Sequence, residues 1–254
     1  MKRITLLFLI ALIIQSCATK KDVLYFQDAK SNSQTTVIYS SQKIQVNDIL
    51  DIKVNALIPE TATSFNINNS MNAAAASTPQ LLKLQGYLVS IEGTISFPVL
   101  GKIMVKGKTT SEIEDYLKGL LESSGQIKNP SVIVRVINSK FTILGEVNSP
   151  GTYDFTEQNI TLLQAIGYAG DLAIGGKRKE VLLIREENGI RQQTTIDLTS
   201  TKWFDSPYYF IKQNDIIYVN PSGPVIKSAG YIGNLGTFLS VFSLALSTVL
   251  LIIR

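Results

Sequence analysis

The 254-residue chain has no histidine and a single cysteine, Cys17. Without imidazole there is no Ser-His-Asp or Cys-His nucleophile system and no histidine metal site. One cysteine falls short of the roughly four Cys or His ligands that structural zinc requires. It also rules out a disulfide within the chain, so the fold is stiffened by packing alone. Charge is scarce as well: 17% of residues are charged and 45% are hydrophobic, where soluble domains carry about 25% charged residues. The apolar surplus lies at the two ends, and the length leaves room between them for one large or two small domains.

At the N-terminus, Lys2 and Arg3 precede an apolar run from Ile4 to Ile14, then Gln15-Ser16-Cys17. A basic start, a short apolar stretch and a small residue before the break describe a secretory signal peptide over residues 1–16. Such a run is too short for a spanning helix, which needs about 20 residues. Ile14-Gln15-Ser16-Cys17 resembles a bacterial lipobox, with Gln15 departing from the usual small or apolar residue. That resemblance implies cleavage before Cys17 and acylation of Cys17 as a lipid anchor, with residues 17–41 as a polar leader tethering the body. A plain signal peptide that happens to contain a cysteine is the alternative. Removing Lys2 and Arg3 from 24 basic residues leaves 22 against 20 acidic ones, a balance of +2. So weak a charge gives no reason to expect nucleic acid as a partner.

At the other end, residues 228–254 read as a transmembrane helix. Leu235 to Ile253 is uncharged, and 19 residues rise about 28 Å at 1.5 Å each. Gly233, Gly236, Ser240, Ser243 and Ser247 step by three and four along one stripe. Small residues at this spacing let helices approach closely or wet one face. The plainer alternative is a lone tail helix whose serines bond back to their own backbone.

Between the ends, an α+β body of two small β-rich modules is expected, over 42–138 and 139–222. Apolar alternation around Asn47-Asp48 reads as strand, turn, strand. Residues 55–80, rich in Asn and Ala, read as a mobile insertion. Strands follow at 86–93, 94–98 and 101–105, with Gly93, Pro98 and Gly101 as turn and edge residues. Ser111 and Glu114 form a candidate capping box for a helix bearing Ile113, Leu117, Leu120 and Leu121, with Gly125 as its left-handed stop. Ser131 to Ile137 reads as a well-buried strand. The second module opens with Phe141 to Val147 and a Pro150-Gly151 turn. Thr161 and Gln164 cap its helix, Ala169-Gly170 end it, and strands at 181–185, 194–198 and 214–219 follow.

Several segments carry a resemblance in sequence order. Val46 to Ile52, Gly86 to Val89, Glu92 to Gly101 and Asn129 to Val132 resemble the polysaccharide-export domain of Wza-type outer-membrane export proteins. Leu144 to Tyr153, Leu162 to Ile166 and Ala169 to Leu172 resemble a soluble-ligand-binding β-grasp (SLBB) domain, closed by Asn214 to Val219. The residues carrying it are Asp48, Gly93, Pro98 and Gly101 in the first module and Gly145, Pro150, Gly151, Ala169 and Gly170 in the second. Asn47 stands where the family often has glycine, a swap that positive φ permits.

The resemblance implies a lipid-anchored outer-membrane component of an exopolysaccharide or capsule export channel. It implies a homo-oligomeric ring, its body in the periplasm, passing polysaccharide passively beside an inner-membrane copolymerase/tyrosine-kinase partner. Two rivals stay open: a non-pore periplasmic glycan-binding or scaffold lipoprotein, and a carboxylate-using envelope enzyme.

No catalytic, cofactor or metal set emerges. Gly170 to Lys177 has one residue too many for a phosphate loop, and Arg178 replaces the magnesium-binding hydroxyl. Glu186 and Glu187 precede an Asn188-Gly189 hairpin turn and read as a solvated loop. Asp48 and Asp51 alone make a poor calcium site. Trp203, Tyr208, Tyr209 and Phe210 are expected to pack the second module rather than stack on sugars.

Overall fold

The computed structural model describes residues 20–29, 34, 36–39, 41–67, 83–187, 189–228 and 235–253. The signal peptide, Cys17, Gly233 and the Asn- and Ala-rich stretch 68–82 lie outside the described residues.

Module one is built on β1 (Ile49–Asn55), where Leu50, Ile52 and Val54 point inward at period two and are all buried. A short helix α1 (Pro59–Ala62) follows, then β2 (Tyr87–Leu88), the hairpin β3 (Thr94–Phe97) and β4 (Gly101–Met104), helix α2 (Thr110–Ser123) and β5 (Ser131–Val136). β1 lies between β2 and β5, antiparallel to both. Helix α2 buries Ile113, Leu117 and Leu121, the i, i+4, i+8 face that its sequence spacing demands. Gly125, at φ 68, ends it.

Three expectations for this module shift. The capping box uses Thr109 and Glu112, two residues upstream of Ser111 and Glu114. Glu114 is drawn off to accept the backbone N–H of Val134 at 2.8 Å, pinning the helix to β5. Strand β5 is not well buried: it is an edge, and Val134 alone of its six residues is fully enclosed. β-branched composition reported strand propensity there, not depth. The front of the supposed mobile insertion is docked, with Ala62 and Phe65 in the core. Its Asn66 side chain pairs with β1 like a strand residue, accepting from Val54 N and donating to Val54 O, both at 2.9 Å.

Module two comprises β6 (Lys140–Gly145), β7 (Gly151–Asp154), β8 (Ile160–Thr161), helix α3 (Leu162–Tyr168), β9 (Gly176–Glu187), β10 (Ile190–Ile196), β11 (Phe210–Ile211) and β12 (Ile216–Pro221). Its main sheet runs β10-β9-β12-β6-β7. β12 lies parallel to β6 and antiparallel to β9, while β7 and β10 pair antiparallel to β6 and β9. A hairpin, a helix, and a last strand returning parallel beside the first is the β-grasp order. Thr161 caps α3 with Gln164 closing the box. Phe141, Ile143, Leu183, Ile217 and Val219 from the sheet meet Leu162, Ala165 and Ile166 from the helix in one buried cluster.

Part of the leader is docked on the body. Residues 22–28 bypass module one and lie on module two. Phe26 N and Gln27 N donate to Leu198 O and Thr199 O at 3.2 and 2.6 Å. The Tyr25 hydroxyl bonds Asp171, and Asp28 accepts from Ser200 Oγ at 2.6 Å and Thr201 N at 2.7 Å.

Beyond β12 come α4 (Gly223–Ser228) and α5 (Leu235–Ile253). Here the fold class needs correction: among the described residues no helix is long and apolar enough to cross a membrane. The 19 residues of α5 reach about 28 Å, just under a hydrocarbon core of about 30 Å. Gly236, Thr237, Ser240, Ser243, Ser247 and Thr248 dilute the apolar run. What stands is a mixed helix and strand body with two sheet modules.

Candidate functional site

The feature that unites the two modules is a turn that each contains once. In module one, Gln45-Val46-Asn47-Asp48 enters β1; in module two, Lys212-Gln213-Asn214-Asp215 enters β12. Asn47 and Asn214 both adopt positive φ, 69° and 64°, a conformation Asn tolerates because its short amide bonds locally. In both turns the aspartate carboxylate accepts the N–H three residues before it at 2.8 Å. Both aspartates are buried, at 1% and 0% exposure.

Their other partners differ. Asp215 receives two bonds from Arg185, Nε at 3.0 Å and Nη2 at 2.7 Å. The remaining guanidinium donors reach Pro207 O and Phe210 O, and the cation sits 5.3 Å from the Tyr208 ring. Burial pushes the Asp215 carboxyl above the ordinary range, and the bonds and charge of Arg185 pull it back. Asp48 has no such cation. Its Oδ1 accepts from Gln213 Nε2 at 2.7 Å, a bond that crosses from one module to the other. Burial pushes its carboxyl up to about 6, opposed by the Gln45 N–H and the Gln213 amide.

The three-residue linker between β5 and β6, residues 137–139, joins the same cluster. Asn138 accepts from Ile49 N at 2.8 Å and donates to Asn47 O at 2.9 Å, holding the first turn. Ser139 Oγ donates to Gln213 Oε1 at 3.3 Å, holding the second. Linker and turns thus form one hydrogen-bonded junction.

The other motif residues serve as turn geometry. Gly93 has φ 84°, and a Cβ there would fall 2.6 Å from Lys106 Cβ. Its carbonyl accepts from Val105 and Lys106. Pro98 lies in the β3–β4 hairpin loop, closed by Gly101 opposite Phe97. Gly145 ends β6 where a Cβ would stand 2.1 Å from Val219 O, so no other residue fits against β12. Pro150 and Gly151 lead into β7.

Two distant motif segments meet in module two. Ser149 N donates to Ala169 O at 2.9 Å, Asn148 N to Asp171 O at 3.1 Å, and Asn148 Nδ2 to Gly170 O at 2.5 Å. Ala169 is fully buried, and Gly170, at φ 71°, ends the helix. Asp48, by contrast, shares no contact with these residues and belongs to the junction.

Along α5 two serines of the stripe bond back to their own helix backbone. Ser240 Oγ donates to Gly236 O at 2.8 Å and Ser247 Oγ to Leu244 O at 2.9 Å. Cys17 and Gly233 lie outside the described residues.

Sequence reasoning missed Gln213, Ser139 and Arg185, and saw Arg178 only as a departure from a phosphate loop. Arg178, after the glycine-rich turn, is 4% exposed and donates to Ala173 O and Gly176 O at 3.1 and 2.8 Å. The turn's carbonyls therefore hold a cation, the opposite polarity to a phosphate loop. Asp51 pairs with Lys53 at 3.5 Å and Asp48 with Gln213, which separates the two carboxylates once weighed for calcium. Trp203 is 7% exposed and packs in the module-two core, with Tyr208 and Tyr209 against it.

The two modules coincide with two known domains. Residues 38–137 match the polysaccharide biosynthesis/export protein family, and residues 139–219 match the SLBB domain. The chain thus carries an export domain followed directly by an SLBB domain. The chain is 28% identical over 187 residues to the EPS I polysaccharide export outer membrane protein EpsA of Ralstonia solanacearum, covering 70% of the chain and 48% of the relative. It is 33% identical over 138 residues to EpsA of Ralstonia nicotianae, covering 51% and 34%. The capsule polysaccharide export outer membrane protein CtrA of Neisseria meningitidis serogroup A is 22% identical over 196 residues, covering 76% and 48%. The chain thus spans about half or less of the length of these export proteins.

Proposed function

We propose that this protein is an outer-membrane component of exopolysaccharide or capsule export, contributing a structural body rather than a catalyst. The observation that carries the reading is the pairing of an export domain and an SLBB domain in one chain, joined by a short linker that bonds into both. Relatives with the same region are polysaccharide export outer membrane proteins. The buried ionisable groups support a non-catalytic role: Asp215 is consumed by Arg185, Arg178 by loop carbonyls, and Asp48 by the module junction.

In this reading several copies assemble into a ring whose lumen passes the polymer without chemistry, anchored by acylation of Cys17 in the periplasmic leaflet of the outer membrane. An inner-membrane copolymerase/tyrosine kinase delivers the polymer. The test is deletion of the gene with complementation by wild type or Cys17→Ala, scored by surface polysaccharide. Loss of surface polymer with retention inside the cell is expected on deletion, and unchanged export overturns the reading. Imaging of the full-length protein in mild detergent checks the ring. A monomer there removes the conduit and leaves a periplasmic scaffold of the same machinery.

A further inference from the structure

We propose that Asp48, Gln213 and Ser139 form a proton-sensitive clasp that couples the two modules and stays bonded in both states, a proton on Asp48 removing the buried charge. The proposal stands on the junction's geometry and is independent of what the protein exports.

Three buried polar side chains meet there, at 1%, 8% and 8% exposure for Asp48, Gln213 and Ser139. They come from three places: the turn before β1, the turn before β12, and the linker. An ionised carboxylate can only accept hydrogen bonds, and the orientation observed fits that state: Gln213 Nε2 donates to Asp48 Oδ1 at 2.7 Å while Gln213 Oε1 accepts from Ser139 Oγ at 3.3 Å. The relay also has a second satisfied state. When Asp48 takes a proton from solvent, its O–H becomes a donor. A half-turn of the Gln213 amide then presents Oε1 to that O–H and Nε2 to the Ser139 oxygen, which accepts. All three groups stay bonded, and the buried charge is gone. Gln213 is suited to this because its amide is at once donor and acceptor.

The neighbouring charges do not fix Asp48 in either state. On β1, Asp51 pairs with Lys53 at 3.5 Å. On β5, Arg135 stands opposite Asp51 in register. In module two, Lys212 pairs with Glu187 at 3.0 Å and Asp215 with Arg185 at 2.7 Å. Lys43 and Lys140 lie at the starts of the two modules. None of them acts on Asp48; burial, the Gln45 N–H and the Gln213 amide do. Burial raises its native pKa from 3.8 to about 6. The native state therefore binds this proton more tightly than the unfolded chain. Its contribution to stability is fully present below about 3.8 and is lost as pH rises through about 6. Acidification from pH 7 to 5 favours the native state about tenfold at this site.

Two variants of the full-length protein test the clasp. Asp48→Asn keeps a donor and an acceptor but cannot ionise. Urea unfolding of wild type and Asp48→Asn at pH 7 and pH 5 isolates the site, because every other carboxylate is common to both. Wild type is expected to gain about tenfold more folding equilibrium constant than the variant on acidification. Equal pH responses overturn the proposal. Gln213→Ala tests the coupling between modules without touching Asp48, and it serves if Asp48→Asn does not fold. Hydrogen exchange at residues 43–49, in the other module, is expected to accelerate roughly tenfold, the loss of one hydrogen bond to a charged group. Exchange that changes only around residues 211–216 overturns the clasp. Ser139→Ala is expected to give a smaller acceleration in the same segment, and an acceleration larger than that of Gln213→Ala would place the contact elsewhere.

Discussion

The turns Gln45–Asp48 and Lys212–Asp215 share a closing Asn-Asp pair, an asparagine at positive φ and a buried carboxylate, yet they solve burial in opposite ways. Asp215 is given a permanent cation, Arg185, from within its own module. Asp48 is given only an amide, from the neighbouring module. A buried charge paired with a buried charge is locked, since removing either partner strands the other. A buried carboxyl paired with an amide can discharge itself by taking a proton. The same local motif thus makes a fixed rivet inside one module and an adjustable contact between two.

The largest effect expected from breaking this contrast is at Arg185. Arg185→Ala leaves Asp215 buried without its cation and is expected to cost about 3–5 kcal/mol, read from urea unfolding. A loss below about 1 kcal/mol would mean that the pair is solvated and the contrast false. Next come the paired carboxylate substitutions. Asp215→Asn is expected to destabilise by about 3 kcal/mol at pH 7 because Arg185 is stranded. Asp48→Asn at the same pH is expected to be neutral or stabilising, since it removes an ionised group from a buried site. Two losses of equal size would erase the distinction between rivet and contact.

Smaller effects test what the turns share. Asn47→Ala and Asn214→Ala force alanine to positive φ and are expected to cost about 1–2 kcal/mol each, with glycine restoring most of it. Unequal costs would show that the turns differ in backbone as well as in partner. The helices provide the mildest comparison. Thr109→Ala and Thr161→Ala each remove a cap and are expected to cost about 1 kcal/mol. Ser111→Ala stays within about 0.5 kcal/mol, because Ser111 is not the cap. Thermal melts of the three variants suffice.

Much of this was legible from residue order. Gly125 and Gly170 as left-handed stops and Thr161 with Gln164 as a capping box follow from local chemistry, which a short window contains, while positive φ at Asn47 came from the glycine of the resembling family. The turn segment at Gly145 to Gly151 and the helix end at Ala169-Gly170 carried the family pattern, and the structure shows why they travel together: one's amides bond the other's carbonyls. Local chemistry failed where two registers were equally good. Thr109-x-x-Glu112 and Ser111-x-x-Glu114 both fit a capping box, and only the pull of Val134 on Glu114 decides between them. Pairs such as Asp48 with Gln213, 165 residues apart, leave no trace in spacing. The C-terminal helix was misjudged from its lack of charge, which counts forbidden residues but not hydroxyls.

The leader's course changes how the chain bears load. Asp28 is held by Ser200 and Thr201, 172 and 173 residues further on, and Asp22 pairs with Lys179 at 3.2 Å. Tension applied through the strap at residues 22–28 reaches module two before module one. Module one is thereby inserted between two stretches of chain that both lie on module two, the strap of residues 22–28 and strand β6, and is spared from force so long as that strap holds.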